Sequence, residues 1–277
     1  MAGARDRAET LALLLPGLAL LALAFVLPIF EMLALSVEGP GGTATTAHLA
    51  RVLGDPFYLG ILWRTVRLSL IITALCAAIG FPLAYITARS GPGLRLALVI
   101  MVVLPLMTSV VVRTFGWMVL LARSGLVPQV MRDLGLANRS FSLMQTETAI
   151  VLGLTQVLLP FMVLSILGVL TRLDRRLEEA ARTMGASFGQ TLRTVVLPLA
   201  MPGIVAGSLL CFTLSASSFV TPNLLGGSRL QVLAASIYGA VTQTLEWPFA
   251  AAQAVVLFAG VLLVLVPYVR LTGARHG

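Results

Sequence analysis

The sequence predicts an all-α, polytopic membrane protein with six transmembrane helices. Three observations carry this reading. Mean hydropathy is +0.98, and of 277 residues 58% are hydrophobic and only 11% charged, too little charge for the surface of a soluble domain. Uncharged apolar runs of about twenty residues, enough to cross a bilayer core, recur along the whole chain. The segments between them leave no soluble domain of useful size.

The first run, Leu11 to Phe30, follows Arg5 and Arg7. Ala22-Leu23-Ala24 resembles a cleavage site, but the run continues through FVLPIF with no polar region before it, so it reads as a retained first span. A polar segment from Glu38 to Arg64 holds Gly39-Pro40-Gly41-Gly42 and an amphipathic piece from His48 to Leu62. Leu68 to Ala88 is the second run, and Arg89-Ser90-Gly91-Pro92-Gly93 reads as a tight turn. The third run, Leu96 to Val112, ends at Arg113, whose guanidinium is placed to reach the far interface.

The connection from Arg123 to Glu147 carries a short helix over GLVPQVMRDLGL. Thr148 to Thr171 is the fourth run. Residues 194 to 228 are uncharged for longer than one span needs, and Pro198, Pro202 and Pro222 delimit a fifth span within them. The sixth runs from Trp247 to Val269. With the N-terminus inside, the inward segments hold Arg5, Arg7, Arg89, Arg95, Arg172, Arg175, Arg176, Arg182, Arg193, Arg270 and Arg275, eleven of the 19 basic residues. The excess puts both termini in the cytoplasm.

Composition excludes several functions. All 19 basic residues are arginine, so there is no P-loop lysine to contact a nucleotide. His48 and His276 are too few and too far apart to suggest a metal site. Cys76 and Cys211 both lie in apolar runs and read as buried thiols rather than a disulfide. The excess arginine is that of a membrane protein facing anionic lipid, and nucleic acid is not a partner.

One polar stretch, Asp174 to Pro198, stands between the fourth and fifth runs on the cytoplasmic side. Asp174 is placed to cap a helix whose first turns hold Glu178 and Glu179. Leu177, Ala180, Ala181 and Met184 fall on one face, and Gly185 permits the left-handed residue that ends a helix. Ser187 with Gln190 forms a capping-box pattern for a second short helix. Phe188, Leu192 and Val195 supply its apolar face and Pro198 stops it. On these residues alone, a surface that docks into a partner's groove and an amphipathic loop resting on the membrane stand about equal.

Glu179-Ala180-Ala181, three residues, Gly185, nine residues and Val195-Val196-Leu197-Pro198 resemble the EAA loop of bacterial ABC-importer permeases, with Val195 where isoleucine is usual. The resemblance covers roughly residues 65 to 270. It implies a MetI-like permease core, with residues 1–64 as an N-terminal tail, first span and first periplasmic segment. The core is then 65–270, its coupling loop about 172–200, and the C-terminal tail 271–277. It further implies ATPase coupling through Glu179, Ala180, Ala181, Met184, Gly185, Phe188, Leu197 and Pro198. The implied partners are ATPase subunits, which carry the ATP and Mg, a second permease, a periplasmic solute-binding protein and membrane lipid. The location is the bacterial inner membrane, and this chain itself is not an enzyme and holds no cofactor.

Pro105 to Leu121 and Ser218 to Ala252 resemble spermidine/putrescine-type permeases more narrowly. Their look implies a polyamine or a related small solute; ferric iron, thiamine, an opine or another amine is the alternative. Polar residues inside spans, namely Thr108, Ser109 and Arg113 in the third and Ser217, Ser218, Thr221 and Asn223 near the fifth, are candidates for the substrate path. Helix–helix hydrogen bonding explains them as well. Glu31, Glu246, Trp117, Trp247 and Tyr238 read as interfacial anchors or docking contacts rather than ligands for an ammonium. An ion-driven transporter would need membrane-buried carboxylates, and the five later runs have none.

Overall fold

A computed structural model describes residues 2–136, 138 and 141–273, and the side chains within 2–13, 40 and 269–273 are outside that description. The expectations on Arg5, Arg7, Arg270, Arg275, His276 and residues 274–277 therefore lie outside the described residues. The elements are α1 (Ala2–Ser36), α2 (Ala47–Gly54), α3 (Pro56–Arg89), α4 (Pro92–Val103), α5 (Val110–Leu121), α6 (Leu126–Asp133), α7 (Glu147–Leu170), α8 (Arg176–Thr183), α9 (Phe188–Thr191), α10 (Leu197–Ala216), α11 (Val220–Gly226), α12 (Leu233–Thr242) and α13 (Trp247–Gly273). Among the described residues the only β pairing is an isolated bridge between Glu38 and Ala44.

Among the described residues, six helical stretches are long and apolar enough to cross a membrane: Leu14–Ser36, Pro56–Arg89, Val110–Asp133, Glu147–Leu170, Phe188–Ala216 and Trp247–Tyr268. The chain forms two compact units, Met1–Leu59 with Ser236–Ala259 and Gly60–Ala235 with Gly260–Gly277.

In the first unit, α1 leaves most of its described apolar surface exposed. The expected amphipathic piece from His48 to Leu62 is broken at Asp55-Pro56, because the Asp55 carboxylate accepts the Phe57 N–H (2.9 Å) and starts a new helix there. Arg51 stacks over the buried Phe249 ring at 4.2 Å and pairs with Glu246 at 3.2 Å. Tyr58 meets the same ring edge-on at 5.2 Å.

The second unit is built around α7, whose interior positions from Ala149 to Leu170 are largely buried. Thr146 caps its N-terminus by accepting the Ala149 N–H at 3.2 Å. Glu147 in the first turn takes a hydrogen bond from Arg67 and lies 3.7 Å from Arg64. α10 packs against α7 through Gly203 and Gly207; a Cβ at Gly203 would stand 2.9 Å from Ile166 Cα and Ser165 O. Small residues four apart bring two helices this close in a membrane, where packing rather than water drives association.

Two further expected elements differ from the structure. The third run is not one helix: α4 tightens into a 3₁₀ turn at Leu104–Met107, and Thr108 and Ser109 are extended before α5 begins. Pro105 lacks the N–H that a continuing helix needs, and the break follows. Arg113 therefore sits in the first turns of a new helix, not at the far end of an old one. The second correction concerns Pro198, which does not stop the helix. α9 runs through a π-helical turn, Leu192–Val196, into α10, with Leu197 N–H bonding Leu192 O. The wider turn moves the carbonyls that a proline ring would strike. The fifth span thus runs from Phe188 to Ala216 and ends six residues before Pro222.

Candidate functional site

The polar stretch folds as α8, a tight turn and α9. Arg175 occupies the N-cap position of α8, one residue later than expected, while the Asp174 carboxylate still accepts the Arg176 N–H at 2.9 Å. At the other end Gly185 adopts φ +88°. Its N–H bonds Arg182 O (2.9 Å) and the Ala186 N–H bonds Ala181 O (3.1 Å), the pair of bonds that closes a helix through a left-handed residue. Ser187 and Gln190 form the expected reciprocal capping box at 3.3 and 2.8 Å.

The face of α8 turned inward is not the apolar one. Glu178 is 8% exposed and Ala181 6%. Glu178 Oε1 accepts Arg89 Nε at 2.8 Å together with Arg89 Nη2, and Oε2 accepts the Tyr85 hydroxyl at 2.8 Å. Arg89 is the last residue of α3, whose final carbonyls are themselves capped: Arg175 Nη2 donates to Arg89 O at 2.7 Å and Arg95 Nη2 to Ala88 O at 2.7 Å. Arginines at a helix C-terminus satisfy its orphan carbonyls and its negative end at once.

Outward, the site presents Leu177, Met184 (83% exposed) and Phe188, with Glu179, Ala180 and Gly185 beside them. The Arg182 guanidinium lies 5.6 Å over the Phe188 ring. Leu197 is half-buried and Pro198 exposed. The structure therefore corrects the expected single face: Ala181 belongs to the buried side, and Leu177, Ala180 and Met184 to the open one. Sequence reasoning missed Glu178, Arg89 and Tyr85. The available signal was an arginine at a helix end and a pair of adjacent carboxylates, of which only one sits three residues before the buried Ala181.

The candidate path residues are scattered in their contacts. Thr221 is buried and bonds Thr114 across α11 and α5 at 3.1 Å. Thr108 Oγ1 turns back to Pro105 O and Ser217 Oγ to Thr213 O. Ser109 and Asn223 are exposed and Ser218 is half-buried. Arg113 Nε and Nη1 are sealed from solvent without a hydrogen-bond partner, as are Thr155 Oγ1, Gln156 Oε1 and Ser215 Oγ. Thr114, Thr155 and Gln156 were not singled out from sequence, because one hydroxyl or amide in a long apolar run carries no distinguishing spacing. Of the proposed anchors, Glu246 is tied to Arg51. Trp247 and Tyr238 are exposed, and Trp117 packs against the core of its unit. Cys76 and Cys211 are free and fully buried, their thiols pointing at Thr155 O and Leu158 O.

A clamped helix, a glycine turn and a second helix continuous with a candidate membrane span thus stand between two such spans. Residues 80–271 match the family described as the binding-protein-dependent transport system inner membrane component. The chain belongs to that family. It is a multi-pass inner-membrane permease of an ABC import system, not an enzyme. The spermidine/putrescine transport system permease protein PotB of Haemophilus influenzae is 34% identical over 218 residues, 79% of this chain and 76% of its own length. PotB of Escherichia coli is 32% identical over 226 residues, 82% of each chain. In fold, the permease resembles a chain of a bacterial ABC transporter that imports alginate, at TM-score 0.77 and 18% identity, covering 99% and 98% of the two chains. A second structure of the alginate transporter, at TM-score 0.73 and 18% identity, is a complex with a periplasmic protein bound to an alginate pentasaccharide.

Proposed function

We propose that this permease imports a polyamine of the spermidine/putrescine class. It would do so with a second permease subunit, two ATPase subunits that carry ATP and Mg, and a periplasmic binding protein that delivers the solute. The substrate class rests on the one-third identity to PotB proteins over four fifths of the chain. Both termini face the cytoplasm, on the arginine distribution of the sequence.

The observation that carries the mechanism is the two-sided build of α8. One charged side chain, Glu178, is buried on the bundle with Ala181, whereas Leu177, Met184 and Phe188 are exposed. Leu177, Met184 and Phe188 dock in a cleft of the ATPase, and Glu179, Ala180 and Gly185 shape the approach. Closure of the ATPases on ATP moves this element, and the Glu178–Arg89 pair and the α9–α10 rod pass the movement to α3 and to span five. The two permeases then rock between outward and inward openings. Polar groups near the breaks of spans three and five, Thr108, Ser109, Arg113, Ser217, Ser218, Thr221 and Asn223, border the path.

The test is uptake of labelled spermidine by proteoliposomes that hold the complete transporter, with binding protein outside and ATP inside. Met184→Asp leaves the thermal stability of the isolated permease within about 0.5 kcal/mol, because the side chain touches solvent. The same change abolishes co-purification of the ATPase and ATP-driven uptake. Retention of both would overturn the docking face, and wild-type uptake of another solute in preference to spermidine would overturn the substrate class.

A further inference from the structure

We infer that Arg67 and Glu147 are positioning residues that hinge α3 at the end remote from α8, so that a pull on the coupling loop makes α3 swing rather than shift as a whole. The inference rests on the coupling reading above and adds to it which end of the helix stays still.

The two ends of α3 are tied to different parts. Within four residues of its outer end it is bound to α7 and to the segment after α11. Arg67 Nη2 donates to both carboxylate oxygens of Glu147 in the first turn of α7, and Arg64 Nε lies 3.7 Å from the same group. Glu147 is also favoured where it stands, at the positive end of the helix dipole. Arg64 Nη1 donates to Gln231 O at 3.2 Å. Thr65, 2% exposed, accepts the N–H of the fully buried Leu233 at 2.9 Å and donates to Ile61 O at 2.8 Å. The inner end is held instead by the coupling loop. Glu178 of α8 takes Arg89 and Tyr85, and Arg175 caps Arg89 O; the contact of Arg89 Nη1 with Leu170 O of α7 is long, at 3.4 Å.

Between these ends α3 lies on α7 with little to lock it. Its buried face reads Leu68, Ile72, Cys76, Gly80, Ala84 and Ala88, small from Cys76 inward. Among the described residues its hydrogen bonding to α7 over this stretch is a thiol contact, Cys76 Sγ to Thr155 O at 3.7 Å. At Gly80 an added Cβ would stand 2.8 Å from Met162 Cγ, so the helices approach closely there without a polar tie. Small residues allow such an approach, and packed helices move by small shears. α3 is one helix through Pro82. A rod tied to the moving loop at one end and to the core at the other swings about the core end.

The swing has a measurable profile. At 1.5 Å per residue, Trp63, Ile79 and Ile86 stand about 6, 18 and 29 Å from Arg67, so their displacements relate as about 1 to 3 to 5. Spin labels on the cysteine pairs Trp63→Cys with Thr148→Cys, Ile79→Cys with Leu152→Cys and Ile86→Cys with Thr171→Cys read these three levels, all at exposed positions. Cys76 and Cys211 are fully buried and stay unlabelled. Distances are measured by pulsed electron spin resonance on the complete transporter in nanodiscs, with and without ATP. The ATP-dependent change is expected to grow about five-fold from the first pair to the last. Glu147→Gln frees Arg67 and brings the outer pair's change up to about that of the middle pair, and Glu147→Asp restores the graded profile. Equal changes at the three levels overturn the hinge. So does a still middle pair beside a moving inner one, which would be a bend at Pro82, or a minimum at the middle pair, which would put the pivot at Gly80. A profile unaltered by Glu147→Gln overturns the part given to that residue, and the profile without it decides the hinge even where that variant does not assemble. No change at any level while spermidine is still taken up overturns the hinge alone; no change and no ATP-driven uptake overturns the coupling reading beneath it.

Discussion

The joint between α8 and the bundle is the most exacting prediction, because one carboxylate holds it. In Glu178→Gln, Tyr85 keeps an acceptor but Arg89 loses its counter-charge. The two side chains are only 11% and 15% exposed, so screening by solvent is small. A hydrogen bond to a charged group contributes about 1.5–3 kcal/mol, and stripping the partner from a fully buried charge costs about 3–5 kcal/mol. Arg89 retains a weak contact from Nη1 to Leu170 O at 3.4 Å, which places the expected loss at the low end, about 2 kcal/mol. At 1.4 kcal/mol per tenfold, α8 then detaches from the bundle about thirty-fold more often. Hydrogen exchange in nanodiscs reads this directly: amides of residues 176–183 lose about that factor of protection while α7 is unchanged. On the proposed docking, ATP hydrolysis is expected to continue and uptake to fall, because the loop still engages its partner but no longer moves α3. The exchanged pair Arg89→Glu with Glu178→Arg recovers part of both. Unchanged protection of α8 would refute the reasoning, and so would an equal loss across α7, which would make the pair a support of the whole bundle.

Two further outcomes follow from backbone geometry. Gly185 has φ +88° and no atom within 4 Å of an added Cβ, so Gly185→Ala costs only the left-handed penalty, about 1–2 kcal/mol; Gly185→Val costs more, and uptake falls in that order. Gly203→Ala meets backbone at 2.9 Å whereas Gly207→Ala meets the Sδ of the unbranched Met162 side chain at 2.7 Å. In detergent, thermal unfolding of the first should be lowered by about 1–3 kcal/mol of overpacking and that of the second by clearly less; equal effects would mean that α7 and α10 do not touch as described.

What was legible in the sequence was local. The Gly185 turn and the Ser187–Gln190 box are decided within five residues by one steric rule and one pair of hydrogen bonds, so their residues announce them. The number of spans and the place of five were legible because hydropathy sums over twenty residues and tolerates errors at the ends; the third candidate span is Val110–Asp133, where Leu96 to Val112 was expected. The same summing hid the break at Thr108-Ser109: Leu104, Pro105, Leu106 and Met107 keep the run apolar while the backbone leaves the helix. Pro198 misled for the opposite reason. Its usual effect is cancelled by a π turn that depends on how Leu192 to Val196 pack, and no local residue pattern states that.

The inner and outer faces of α8 were read the wrong way round at Ala181, and the cause bears on function. Helical spacing finds an apolar stripe, and the ordinary rule then buries it. Here the stripe is divided: Ala181 joins Glu178 inside, and Leu177, Met184 and Phe188 stay outside. Burying each of those three in a partner would contribute about 1.5–3 kcal/mol, whereas association costs about 4–15 kcal/mol, so the patch alone makes a contact that forms and releases. For such a contact to transmit movement, the loop must be held more firmly to its own bundle than to its partner. The bundle side has the Glu178 clamp, the capped end of α3 and, from Phe188 onward, an unbroken helical path into span five. The unbroken helix is the stiffer of these links, because moving Phe188 without moving α10 would require the π turn to break. On the proposed docking, span five therefore follows the partner first, and α3 follows through the ion pair.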